Sequence, residues 1–401
     1  MRIAFFSDNF YPELSGISDS ITATGKELAA RGHTLHFYVP SHPSKDFRSL
    51  GLSDEEINLG PNIKIMRLWS MAYRTGSGQG RALILTGLRW LTVKKFNPDI
   101  IHVHLPFGAG IEGLLSAKVL QKPFVGTNHT PMTEFVRYSP IKFSRLNTWI
   151  LKYTVWFYNR CCFISSPAQA VVDEMSANGF KRPYRIVSNP IDTKTFHPCT
   201  EEEKRALKNK FGFSDHTILY SGRLAIEKRA DLVIRAMAKL IKDIPDLMYV
   251  IIGHGPDEAR LKKLAADLGI AKQVKILGFI KERQELAEIY NASDVFAILS
   301  TAESQSIVAM QAMACGLPVV ASKTWGLGEY VTPATGVLID RDDEKSLPER
   351  LGDLLKDPQR MRELGRNGRA YVQKFSPENI AAEWEKIYED VIKNRGAAID
   401  T

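Results

Sequence analysis

Short apolar, β-branched runs alternate with helix-length amphipathic segments through almost the whole chain, and this alternation limits the fold more than any other feature. The first series of runs covers residues 3–6, 35–39, 63–68, 100–103, 124–127, 162–165 and 185–187. A second series covers 217–221, 249–252, 274–277, 295–299, 318–321 and 336–339. Strands buried on both faces read as continuous apolar runs, and strands separated by helices pair in parallel. Two series therefore predict an α/β protein with two doubly wound, Rossmann-like parallel-sheet domains. At 401 residues the chain is long enough for two cores.

The expected boundary lies within 189–203, a stretch with two prolines, several threonines and no hydrophobic periodicity. This gives a first domain over 1–190 and a second over 191–376. A last helix follows over 377–401, with Ser376 as expected N-cap and Pro377 in its first turn. Its stripe of Ile380, Trp384, Ile387, Tyr388 and Val391 must pack on something.

Composition removes several classes. The chain is 44% hydrophobic and 24% charged, as globular proteins are. No stretch approaches the ~18 unbroken apolar residues of a transmembrane helix. The opening apolar run is cut by Ser7 and Asp8, too short for a secretory core and better read as a buried strand. A cytoplasmic protein is the expectation. Four cysteines at 161, 162, 199 and 315 form no CxxC pair, so reduced structural thiols are expected and no metal.

Net charge is +8, unevenly placed: residues 64–160 hold 14 Lys/Arg against 3 Asp/Glu. Such a region suits an anionic membrane, a phosphorylated ligand or nucleic acid, or is simply a solvated basic face. Nucleic acid is not expected as a partner, because no helix-turn-helix, zinc or stacking-sheet signature accompanies the basic region.

In open parallel sheets ligands bind beyond the carboxyl ends of strands, where helix N-termini converge. Gly16 follows the first strand and precedes a helix expected from about Ser20. A glycine there lets backbone approach a phosphate, although an ordinary turn would use one too. His129 follows the strand at 124–127; His102 and His104 stand in a similar place after Ile100. In the second half, Arg223 and Lys228 lie between a strand end and a helix start, beside Gly222. Two fixed cations there would stabilise a diphosphate, or are merely solvated. Gly253 opens the next glycine turn, and Glu303 precedes a helix expected from about Ser306, with Gln311 two turns along.

Together these junctions resemble the retaining, metal-independent glycosyltransferases of GT-B fold, the group-1 (family-4) class. The resemblance rests on SGI at 15–17, NHTP at 128–131, NPID at 189–192, GRLAIEK at 222–228, GHGP at 253–256 and E-x7-Q at 303–311. It implies two domains facing each other across a cleft, with a nucleoside-diphosphate sugar, expected to be a UDP-sugar, bound mainly by the C-terminal one. Arg223 and Lys228 would contact the diphosphate, and Gly16 would approach it from the opposing domain. His129 would lie near the transferred sugar, Glu303 would bond it, and backbone N–H groups of Gln305, Ser306 and Ile307 would assist. No metal or other cofactor is implied. The class usually carries Glu where this chain has Gln311. An amide still accepts from a ribose hydroxyl, without charge-assisted strength.

The acceptor is the less determined partner. Segments 81–96 and 140–160 mix Trp, Leu, Ile and Phe with cations, as helices lying in a headgroup layer do; core helices with a basic outer face would look the same. The segment after His129 also resembles diacylglycerol glucosyltransferases and related glycolipid-forming enzymes. The expectation is thus an enzyme peripheral on the inner face of the cell membrane with a lipid acceptor. The alternatives are a glycosyltransferase acting on a sugar, polysaccharide or small metabolite, and a sugar-nucleotide-binding protein without transfer activity.

Overall fold

The computed structural model describes all residues except 14, 49–52, 54–56, 73–80, 133–143 and 395–401, and only the backbone of 144–147 and 342. The chain divides into two compact units, Met1–Pro190 with Pro377–Thr401, and Ile191–Ser376.

The first unit is built on seven parallel strands in the order β3-β2-β1-β6-β7-β8-β9. These are β1 (Arg2–Phe6), β2 (Thr34–Pro40), β3 (Ile63–Leu68), β6 (Ile100–Val103), β7 (Phe124–Thr127), β8 (Phe163–Ser166) and β9 (Tyr184–Ile186). Between β3 and β6 a short antiparallel pair intervenes, β4 (Ser70–Ala72) with β5 (Arg81–Leu83). The second unit has six parallel strands in the order β12-β11-β10-β13-β14-β15. They are β10 (His216–Ser221), β11 (Leu247–Ile252), β12 (Val274–Gly278), β13 (Val295–Ile298), β14 (Val319–Ser322) and β15 (Gly336–Ile339). Central strands are buried throughout because helices cover both faces: Ile3, Ala4, Phe5 and Phe6 of β1 have no exposed surface. Ile3 pairs with Leu35 on one side and Ile100 on the other. Strand order reverses between β1 and β6 and between β10 and β13, so each sheet has its switch point at its centre.

Several sequence expectations shift. Strands β8, β9 and β14 move by about one residue, the usual uncertainty at strand ends. The first helix begins at Gly16 rather than near Ser20, because the Ser15 hydroxyl caps it by accepting from the Ser18 N–H at 3.2 Å. Segment 81–96 is not one helix: β5 occupies its start and only Trp90–Phe96 is helical. Gly87 has φ +65°, and the buried Glu112 carboxylate accepts from the Thr86 and Gly87 N–H groups at 2.6 and 3.1 Å, holding a loop there. Of segment 140–160, Ser144–Tyr158 is helical, and 140–143 lies outside the described residues.

The terminal helix, Pro377–Lys393, folds with the first unit. Its apolar stripe is buried, and it packs along the Gly16–Ala30 helix. The Trp384 ring lies 4.5 Å from His102, and the Tyr388 hydroxyl is 2.6 Å from His102 Nδ1. Arg31 and His33 both bond the Glu385 carboxylate. Trp384→Ala should lower unfolding free energy by about 3–5 kcal/mol, the cost of an aromatic-sized cavity, read from urea denaturation. A loss below ~1 kcal/mol would show that the stripe does not hold the helix down.

Candidate active site

From the centre of the second sheet to its β12 edge, the ends of β10, β11 and β12 are laced together. The Gly222 N–H donates to Ile252 O at 3.0 Å and the Gly253 N–H to Gly278 O at 2.8 Å. Gly222 and Gly253 have φ +148° and +128°, and a Cβ on Gly253 would sit 2.0 Å from Gly222 O. Only glycine permits that approach of two backbones.

The following residues, 223–228, carry the charge. Lys228 stands at the end of a 3₁₀ turn, Ile226–Lys228, just before the helix Ala230–Leu240. Its Nζ lies 2.5 Å from Glu303 Oε1, with both side chains largely buried. Arg223 is more exposed and pairs with Glu227. The Glu303 loop is fastened by backbone bonds as well, to the Lys228 loop and to the loop after β14. The Thr301 N–H donates to Glu227 O at 2.9 Å, and the Gly326 N–H to Glu303 O at 3.0 Å. The structure thus brings Lys228 and Glu303 together at the switch point between β10 and β13.

Beyond Glu303, the Ser306 N–H already donates to the Tyr330 hydroxyl at 3.1 Å. Gln305 sits in the loop and Ile307 opens the helix Ile307–Ala314. Gln311 lies inside that helix and is 6% exposed.

In the first unit, Gly16 is exposed at a helix N-terminus. His129 follows β7 and is 6% exposed, its Nε2 3.2 Å from His104 Nδ1. Burial lowers the His129 imidazole to about 4 and holds His102 and His104 well below the usual histidine range, so all three are neutral at pH 7. Among the described residues no group of three or more His, Cys, Asp or Glu side chains converges as metal ligands would.

Sequence reasoning passed over two carboxyls here. Asp8 stands two residues beyond β1, where its Oδ1 accepts from the Ala109 N–H at 2.8 Å at the start of the helix Gly108–Leu120. Its Oδ2 has neither solvent contact nor a partner, although the residue as a whole is only half-buried. Burial pushes Asp8 up to about 7 against the pull of these helix N–H groups. Glu13, which accepts from Asn9 Nδ2 at 2.8 Å, is raised to about 7 by burial and then by the Asp8 charge. The signal was available: Asp8 follows a buried strand, as His129 does.

Comparison with known proteins places this geometry. Residues 202–371 match Glycosyl transferases group 1, and residues 14–195 match Glycosyltransferase Family 4. The chain belongs to the group-1 class of glycosyltransferases. It is 27% identical to alpha-monoglucosyldiacylglycerol synthase of Acholeplasma laidlawii, over 98% of each chain. It is 25% identical to N-acetyl-alpha-D-glucosaminyl L-malate synthase of Bacillus anthracis, over 96% of each. Among solved structures, Anabaena HepE in complex with UDP superimposes with TM-score 0.75 at 20% identity, over 97% of this chain and 100% of that one. The fold is GT-B.

A carboxyl raised by burial binds its proton more tightly folded than unfolded, so stability falls as pH climbs from the ordinary carboxylate range through about 7. Asp8→Asn should flatten this decline. Denaturant unfolding at pH 5 and pH 8 should show the native chain losing more than the variant, on the order of 1–2 kcal/mol after solvent screening. Equal losses would mean that Asp8 is ionised throughout.

Proposed function

We propose that this glycosyltransferase moves a sugar from a nucleoside diphosphate, a UDP-sugar, to an acceptor hydroxyl with retained anomeric configuration and without a metal. The observation that carries the reading is the pairing of Lys228 with Glu303 beside Arg223 at the switch point of the second sheet. Each cation is held by a carboxylate that a diphosphate can replace. The leaving group then takes Lys228 and Arg223, while Glu303 turns from ammonium to sugar hydroxyl. Gly222 and Gly253 keep the surrounding loops free of side chains, and Gln311 serves the ribose with a neutral amide. From the first unit, the Gly16 N–H and His129 are proposed for the donor phosphates and the transferred sugar.

In the reaction the bond from the anomeric carbon to the phosphate oxygen breaks and a bond to the acceptor oxygen forms on the same face. The acceptor proton passes to the departing phosphate oxygen. Catalysis is then mostly positioning and leaving-group stabilisation. Arg223→Ala and Lys228→Ala should each lower turnover about 100-fold or more, with acceptor KM little changed. UDP-sugars should raise the melting temperature of the native chain. Near-normal turnover in either variant would overturn that cation's role, and no transfer or hydrolysis with any sugar nucleotide would overturn the reading.

For the acceptor we propose a membrane lipid, as the Acholeplasma relative's name describes for that protein. Three helices share one face of the first sheet, Trp90–Phe96, Gly108–Leu120 and Ser144–Tyr158, their inner residues in one cluster. Outward they expose Leu91, Leu115, Val119, Trp149 and Trp156, with Leu88 beside them. Lys94, Lys95, Lys118, Lys152 and Arg160 are exposed on the same helices and just beyond them, and Arg160 stacks on Trp156 at 3.7 Å. Apolar and aromatic side chains ringed by cations suit an anionic headgroup layer. The helix Gly108–Leu120 joins the two segments that sequence singled out. No described helix is long and apolar enough to cross a membrane.

The protein should co-sediment with vesicles containing phosphatidylglycerol and not with phosphatidylcholine alone. Trp149→Ser with Leu88→Ser should weaken that binding at least about tenfold, the worth of two desolvated side chains. Absent binding, or binding indifferent to anionic lipid, would favour a water-soluble acceptor, of the kind that the Bacillus relative's name describes.

A further inference from the structure

Backbone strain gathers at one place in the second unit. Among the described residues, four other than glycine have positive φ: Asn97, Gln121, Arg229 and Trp325. Asn97 and Gln121 each end an α-helix, the common use of a left-handed residue. The other two lie beside the candidate site. Arg229 follows Lys228 directly, and Trp325 precedes Gly326, whose N–H bonds Glu303 O.

Arg229 has φ 53° and ψ 32°, at the junction of the 3₁₀ turn Ile226–Lys228 with the helix Ala230–Leu240. Its N–H closes the turn by donating to Ile226 O at 3.2 Å, and its carbonyl accepts from the Leu232 N–H at 3.1 Å. One left-handed residue thus separates two right-handed turns. In a right-handed conformation the turn would run on into the helix and carry Lys228 in another direction. A residue with a Cβ resists the left-handed well, and Arg229 makes no capping bond there that would offset this.

Contacts outside the junction therefore hold it. The guanidinium Nη2 donates to Glu344 Oε2 at 2.8 Å, with the two side chains 28% and 35% exposed, and Nε lies 3.8 Å from Asp231 Oδ1. Asp231 is also reached by Arg235 and Arg260, at 3.8 and 3.5 Å, whereas no other described cation pairs with Glu344. Glu344 belongs to the 3₁₀ segment Arg341–Ser346 beyond β15. Segment 227–229 is thus tied on two sides. Glu227 O accepts from the Thr301 N–H beyond β13, and the Arg229 guanidinium reaches beyond β15. Lys228 lies between these ties, with its Nζ on Glu303.

We propose that Arg229 is a positioning residue: anchored on Glu344, it selects the left-handed backbone that directs the Lys228 ammonium to Glu303 and to the diphosphate that takes the place of Glu303. The proposal rests on the reading of Lys228 as a leaving-group cation. Arg229 itself needs no contact with a substrate. An ion pair this exposed adds little to overall stability, yet it can decide between two backbone wells that are close in free energy.

The test uses the full-length protein carrying Arg229→Gly, Arg229→Ala or Glu344→Ala, and Arg229→Gly combined with Glu344→Ala. Glycine enters the left-handed well without an anchor and alanine does not. Turnover should fall about tenfold in Arg229→Ala and in Glu344→Ala with acceptor KM within about twofold, and Arg229→Gly should recover most of it. Adding Glu344→Ala to Arg229→Gly should cost nothing further, since no guanidinium is left to anchor. Unfolding gives a readout independent of activity. In a right-handed helical position glycine is less stable than alanine, whereas here Arg229→Gly should have the higher urea midpoint. Equal turnover in Arg229→Ala and Arg229→Gly, normal or impaired, would overturn the proposal, as would normal turnover in Glu344→Ala or a higher urea midpoint for Arg229→Ala. Near-normal turnover in Lys228→Ala would instead overturn the reading of Lys228, and the kinetic role of Arg229 with it, leaving the backbone assignment to stand on the urea midpoints.

Discussion

An ammonium and a carboxylate placed at the edge of a parallel sheet must find each other or find a ligand, and the pairing of Lys228 with Glu303 is the constraint around which the second unit is arranged. Leaving either charge partly buried and alone would cost several kcal/mol, far more than an exposed pair returns. The backbone bond from Thr301 to Glu227 ties the two loops together, and that from Gly326 to Glu303 ties the second of them to the loop after β14. The glycine contact between 222 and 253 keeps the neighbouring loops low. On the proposed reading a diphosphate would offer both cations what their carboxylates offer. Such an exchange would cost little reorganisation, as leaving-group stabilisation requires.

The first unit solves a different problem at its own edge. It gathers desolvated groups there: three neutral imidazoles lowered by burial and two carboxyls that burial raises to about 7. Neutral groups can be packed densely because each needs partners rather than counter-ions. The terminal helix is part of that packing, contributing the Tyr388 hydroxyl and the face of Trp384 to His102. A chain that leaves the first unit at Pro190 and returns at Pro377 thereby closes the polar edge it began with.

The strands were legible in the sequence because a strand buried on both faces, such as β1 or β11, admits almost only apolar residues. Positions just beyond strands were legible too, which is how Lys228, Glu303 and His129 stood out. Tertiary relations were not. The antiparallel pair β4–β5 is too short to show a period, and the loop before Trp90 depends on Glu112, some 25 residues away in sequence. His104 looked no more promising than His102, since only the pairing of β6 with β7 shows which of them faces His129. Asp8 escaped because its meaning depends on a helix start a hundred residues later.

Gln311 shows how the fold bears on a departure from the family pattern. Every residue of its helix except Val308 is buried, with Ala309, Met310, Ala312 and Met313 around it. A glutamate at that depth would be desolvated whenever no ribose was present, and would have to take up a proton or find a cation. The amide avoids that cost and remains competent to accept from one hydroxyl and donate to another. The exchange is of ligand strength for stability without ligand, by on the order of 1 kcal/mol. It leaves the cations proposed for the leaving group untouched, because Arg223 pairs with Glu227 and Lys228 with Glu303. On the proposed reading a chain can therefore carry Gln311 here and keep its chemistry, provided Lys228 and Glu303 still meet.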